Sequence, residues 1–285
     1  MAAALESRAL SVGRNGQRLA GEEMGEGPPV VLLHGITASR RYVVHGSNAL
    51  PRAGYRTVSY DARGHGESSP APPGGGYAYA ELVADLGAMI DSRAGGVRPV
   101  LAGHSMGAHT VVAHALEHAE ELAGIVVICP AFNGLPASDE VLENWDELAD
   151  GLEEGGVEGF LRAYEAQGLD PEWRDTLIRI TRERLETQRH PEAVAQAMRD
   201  VPRSQPFEEL SELEFLDVPT LVVASRDEAD PGHPRAVGEE YARRLPHGRL
   251  IGEAEGESPL AWQGGRLSRE IAAFCDEPEV RERLG

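Results

Sequence analysis

Six short apolar runs, each ended by turn residues, constrain this chain more than any single residue does. They are PPVVLLHG (28–35), YRTVSYD (55–61), VRPVLAGHS (97–105), LAGIVVICP (122–130), VPTLVVAS (218–225) and the weaker GRLIGE (248–253). Runs this rich in Val, Ile and Leu, nearly all apolar, read as strands buried on both faces. Between them the pattern becomes helical. AYAELVADLGAMIDSR (78–93) places Leu82, Leu86, Met89 and Ile90 on one face. MGAHTVVAHALEHAE (106–120) follows Ser105 directly, and PRAVGEEYARRLP (234–246) follows the fifth run. Strands alternating with helices predict an α/β fold, with a mostly parallel central sheet flanked by helices.

The alternation stops between residues 133 and 206. That segment is helical in composition and holds no strand-like run. Its glycines and prolines (Gly155-Gly156, Gly168, Pro171, Pro191) divide it into three or four short helices. Trp145, Leu148, Leu152, Phe160, Leu161, Trp173, Leu177 and Ile180 are its expected buried residues. The reading is a core domain from residues 1–132 and 207–285, with 133–206 as a helical cap over the strand ends.

Composition narrows the function classes. Twenty-seven basic residues, all arginine, face 47 acidic ones, for a formal net charge of −20. Nucleic acids and anionic membranes select basic surfaces, so neither is an expected partner; a small molecule is. The two cysteines, Cys129 and Cys275, are too few for a disulfide scaffold, and a reducing, cytoplasmic setting fits. No run approaches the ~18 apolar residues of a membrane span, and MAAALESRALSVG does not read as a secretory signal. No histidine cluster has zinc-ligand spacing and no glycine-rich phosphate loop joins a strand to a helix, so neither a metal nor a nucleotide cofactor is expected.

The chemistry-bearing motif is LAGHSMGAH (101–109), which sets Gly-His-Ser-Met-Gly at a strand-to-helix junction. Small residues around Ser105 permit a sharp turn that lifts its hydroxyl above the sheet. The helix that begins there offers free N–H groups and a positive dipole end to a developing oxyanion.

With this motif in place, the chain resembles the α/β-hydrolase superfamily over nearly its whole length, in a capped, serine-nucleophile, esterase- or lactonase-like form. LLHGITAS (32–39) looks like the family's oxyanion loop, SYDARGHGESS (59–69) like its Asp-x-Arg-Gly-His-Gly-x-Ser segment, and GHSMG is the nucleophile elbow. The resemblance implies Ser105 as nucleophile and the backbone N–H groups of Ile36 and Met106 as oxyanion donors. It implies turn-fixing roles for His34, His65 and His104. The acid is implied in VVASRDEADPGHP (222–234), where Asp227 best matches the family's spacing and Glu228 and Asp230 compete.

The family's histidine follows the last strand, in a glycine-flanked loop. Here that loop, EAEGESPLAWQ (253–263), has none, and Glu257 occupies the slot. A serine hydroxyl needs a base to become a good nucleophile, and a carboxylate is a weaker one than imidazole at neutral pH. Glu257 is either the occupant of an atypical triad with Ser105 and Asp227 or a side chain turned outward into water. His233 and His45 are the leading substitute bases, with His109 one turn into the elbow helix. Three functions stay open: a hydrolase of a small ester or lactone, a ligand-binding protein without turnover, and a lyase or isomerase using the same site.

Overall fold

The computed structural model describes residues 5–226 and 228–284. Two strands precede the first apolar run. β1 (Ser7–Arg14) and β2 (Gln17–Met24) form an antiparallel hairpin. Its turn is Asn15-Gly16, with φ of 47° and 79°, the left-handed pair that a tight two-residue hairpin requires. The hairpin is half-solvated: Leu10 and Val12 are buried while Arg8, Ala9 and Ser11 are exposed.

The six apolar runs are the remaining strands: β3 (Pro29–Leu33), β4 (Arg56–Tyr60), β5 (Val100–His104), β6 (Gly124–Ile128), β7 (Thr220–Val223) and β8 (Gly248–Ile251). The sheet order is β1-β2-β4-β3-β5-β6-β7-β8. β2 runs antiparallel to β4, and every pair from β4 to β8 is parallel. The chain leaves β3 for β4 on one side and returns as β5 on the other. That reversal opens a crevice at the carboxyl ends of β3 and β5, where ligands bind in open α/β sheets.

The helices are α1 (Ala49–Arg52), α2 (Tyr79–Arg93), α3 (Met106–His118), α4 (Asp139–Ala166), α5 (Arg174–Leu185), α6 (Pro191–Arg203), α7 (Arg235–Arg244), α8 (Gly264–Cys275) and α9 (Pro278–Leu284). Successive strand residues point to opposite faces, which splits the core in two. Val31, Leu33, Leu101, Ile125, Val127 and Val222 pack with α2, α3 and α7. Val30, Leu32, Val100, Val126, Ile128 and Leu221 pack with α1, α8 and α9. Both faces being covered is why these strands lack polar alternation.

Helices α4 to α6 lie between β6 and β7 and share a third cluster. It joins Leu148, Leu152, Phe160, Leu161 and Met198 to Ile36 and Met106 at the strand ends. α4 is two helices: Gly156 (φ 60°, ψ −150°) breaks it and folds the halves together. They meet backbone to backbone, since a Cβ on Gly159 would stand 2.0 Å from the Gly151 carbonyl oxygen. Trp145, Trp173 and Ile180 are only half-buried. Among the described residues, no helix is long and apolar enough to cross a membrane.

Candidate active site

Ser105 joins β5 to α3 at φ 54° and ψ −117°, a conformation that is strained for a residue with a side chain. Its flanking glycines make that turn possible. A Cβ on Gly103 would stand 2.1 Å from the Gly107 carbonyl oxygen, and one on Gly107 would stand 2.5 Å from that of Leu33. The helix can therefore start directly against β5 and β3. Ser105 N–H donates to the Ile128 carbonyl (2.9 Å). The Met106 N–H, opening α3, has no intrahelical acceptor.

The second N–H is aimed by histidine. His34 Nδ1–H donates to the Gly35 carbonyl (2.8 Å), and Ala38 N–H donates to the same oxygen (3.0 Å). A trans peptide points its C=O and N–H in opposite directions, so pinning the Gly35 oxygen turns the Ile36 N–H the other way. Burial and the neighbouring His65 lower the His34 pKa to about 4, so the ring is neutral. Its Nε2 accepts from Ala62 N–H (2.9 Å). His65 holds the next carbonyl, with its Nε2 2.7 Å from Ile36 O. Gly35 admits this loop to the elbow, because a Cβ there would stand 2.9 Å from His104 Nδ1 and 3.2 Å from Ser105 Cβ.

An imidazole reaches Ser105 from the loop in which the resemblance implies the acid. His233 Nε2 lies 2.7 Å from Ser105 Oγ, and its Nδ1 lies 2.8 Å from Asp230 Oδ1. With Nδ1–H donating to the carboxylate, Nε2 carries a lone pair toward the serine hydroxyl. Both side chains belong to the turn after β7, which closes on itself through His233 N–H to Asp230 O (3.0 Å) and Asp230 N–H to Arg226 O (3.2 Å).

Glu257 does not join this arrangement, and the sequence expectation for it needs correcting. Its carboxylate is exposed, pairs with Arg266 and accepts from Ala254 N–H (3.0 Å). The Arg266 hydrogen bond, and then that of Ala254, hold its pKa below the usual range, so it is an ionised surface group. The loop instead turns a different carboxylate inward. Glu253, its side chain 2% exposed, accepts from Arg226 N–H (2.7 Å) and Leu260 N–H (3.0 Å), tying the loop after β8 to the one after β7.

The other candidates fall elsewhere. His45 Nε2 faces the Ala261 carbonyl (3.2 Å). His109 is held by the Tyr79 hydroxyl at Nδ1 (2.7 Å) and by the N–H groups of Ala131 and Phe132 at Nε2 (2.9 and 3.1 Å). Glu228 is exposed, and Asp227 lies outside the described residues. The Asp-x-x-His spacing at the end of β7 was the sequence signal for the pair. It goes unread when the acid and the base are sought on different loops.

Among the described residues, one group has metal-ligand character: donor atoms of His104, Cys129 and Asp230 lie within 4.8 Å of one another. Burial holds the His104 pKa well below its ordinary value and pushes the Cys129 thiol up, so the imidazole is neutral and the thiol stays protonated.

The strand order and the tight strand-to-helix turn at Ser105 define a class of fold, and the comparisons agree with that fold. Residues 28–260 match the α/β hydrolase fold family. The chain belongs to that family. Among curated relatives it is 39% identical to epoxide hydrolase B of Mycobacterium tuberculosis over 109 residues, which cover 38% of this chain and only 30% of that protein. A putative non-heme chloroperoxidase of Synechocystis is 29% identical over 231 residues, 79% of this chain and 81% of the other. Among solved structures, a thermophilic esterase from Thermogutta terrifontis aligns with TM-score 0.76 and 24% identity, over 98% of this chain and all of that one. An enol-lactonase from Burkholderia xenovorans aligns with TM-score 0.75 and 22% identity, over 95% and 100%. At these identities the structural likeness is one of fold.

Proposed function

We propose that this protein is a serine hydrolase of small carboxylic esters or lactones, with its general base on the loop after β7. The observation that carries the reading is the chain of contacts from Ser105 Oγ to His233 Nε2 and from His233 Nδ1 to Asp230. His233 takes the hydroxyl proton as Ser105 Oγ attacks the carbonyl carbon. Asp230 keeps the ring in the useful tautomer and stabilises the imidazolium. The Ile36 and Met106 N–H groups receive the negative oxygen of the tetrahedral intermediate. His233 then protonates the departing alkoxide, and a water activated by the same ring releases the acid. Helices α4 to α6 act as the cap. Their placement is supported by the shared cluster with Ile36 and Met106, and by Trp173 packing edge-on to Trp262 at 5.7 Å.

The test is turnover of p-nitrophenyl acetate and butyrate together with labelling by a fluorophosphonate. Expected are labelling at Ser105 and turnover abolished by Ser105→Ala. A folded protein that neither labels nor turns over sinks the proposal. The alternative of a binding protein without turnover rests on the lack of a histidine after β8, and the His233 contact supports the hydrolase reading over it.

A further inference from the structure

Arg184, in the last turn of α5, is a half-buried cation that forms no ion pair among the described residues. Its Nε is buried and has no hydrogen-bond partner among them either. Acid is not scarce, since the chain has 47 carboxylate side chains for 27 arginines. Its neighbours in sequence are paired: Arg182 with Glu158, and Arg179 with Glu183. The guanidinium instead stands 5.9 Å from the centre of the Tyr42 ring. Its charge acts on His104, beside the nucleophile, and on His45. Asp230, Tyr164 and Cys129 act on it in turn. The end of α5 is tied to the loop that carries Ile36: Gln188 Nε2 donates to the Ala38 carbonyl (2.9 Å) and to that of Arg184 (3.4 Å), and Thr187 Oγ1 lies 3.1 Å from Ser39 Oγ, which sets Arg184 beside the site at the strand ends.

A desolvated guanidinium with unmade hydrogen bonds is unfavourable on its own. Burial pulls its pKa below the ordinary value, against the opposing pull of Asp230. Its planar fork of donors matches one ligand class better than any other, a carboxylate bound by two parallel hydrogen bonds. We propose that Arg184 binds a second, free carboxylate on the substrate, making the site selective for acidic esters and carboxy-lactones. This rests on the serine hydrolase reading above.

The test compares monomethyl glutarate with methyl valerate, a neutral ester of the same length, by titrating released acid. The wild type is expected to favour the acidic ester in kcat/KM. Arg184→Gln, its fold checked by circular dichroism, is expected to lower that preference roughly 10–100-fold, chiefly through KM. Arg184→Lys keeps the charge without the fork and is expected to fall between. A wild type that prefers methyl valerate overturns the proposal. So does a preference that Arg184→Gln leaves unchanged, which would mean that Arg184 serves only to balance Asp230. If neither ester is turned over and the fluorophosphonate does not label, it is the hydrolase reading that fails. Calorimetric titration with glutarate then decides Arg184 alone: binding lost in Arg184→Gln supports the anion site, and no binding to the wild type overturns it.

Discussion

Asp230 and His233 stand three residues apart on one loop, with Oδ1 of the first 2.8 Å from Nδ1 of the second. Both side chains are therefore positioned by a single turn at the end of β7. His233→Ala is expected to lower kcat on p-nitrophenyl butyrate by about 10⁴–10⁶, and Asp230→Asn by about 10⁴. Steady-state assays with stopped-flow labelling check both. A loss under tenfold for His233→Ala would remove it as the base.

Glu257, by contrast, belongs to the surface. Glu257→Gln is expected to change kcat/KM less than about twofold, and the melting temperature by no more than about 2 °C, since exposed ion pairs contribute little. Glu257→His is expected to add no activity, because the side chain at this position points to Arg266. A large gain from that substitution would show that the loop can deliver a base after all.

The buried carboxylate in the same loop is a different matter. Glu253 accepts two backbone N–H groups from two loops. Glu253→Ala leaves both donors unpaired, at about 2–4 kcal/mol of stability. It is also expected to lower kcat, because Arg226 begins the turn that carries Asp230 and His233. Urea denaturation beside turnover separates the two effects.

The elbow glycines test the fold itself. Gly107→Ala drives a Cβ to 2.5 Å from the Leu33 carbonyl, backbone that cannot yield cheaply. Loss of soluble folded protein, or several kcal/mol of destabilisation, is expected by denaturation. Gly35→Ala meets His104 and Ser105 side chains instead, and is expected to impair catalysis more than stability.

Acid stability follows from the buried neutral histidines. Burial lowers the folded pKa of His34 and His114 to about 4 and of His109 to about 3, against 6.5 unfolded. Below pH 6.5 the unfolded chain takes up protons that these rings refuse, so stability is whole above that value and falls as pH drops toward 4. Each ring adds up to about 1.4 kcal/mol per pH unit in that window. Urea midpoints between pH 7 and 5 should fall accordingly, and His109→Gln should flatten the curve.

Much of the fold was legible in the sequence because its causes are local. Strands buried on both faces show unbroken apolar runs, and the elbow motif carries glycine at 103, where the following helix folds back on it, and at 107, where β3 approaches. β1 and β2 escaped the search for apolar runs because one face of the hairpin meets water. The Asn15-Gly16 turn was the readable signal. Ser105 and the loop around Ile36 were likewise visible, being set by short motifs at strand ends. The partner of Ser105 was not. Ten histidines look alike along a chain, and the one that reaches the hydroxyl lies 128 residues away. Whether a loop turns its imidazole inward depends on which backbone it packs against. Here Glu253 and the turn from Arg226 to His233 made that choice, and they left Glu257 in the family's usual slot facing water. The sequence by itself determined the sheet and the sharp turn at Ser105. Only the tertiary structure decided which imidazole meets the Ser105 hydroxyl, because bringing two distant loops to 2.7 Å is a property of their packing and not of either segment alone.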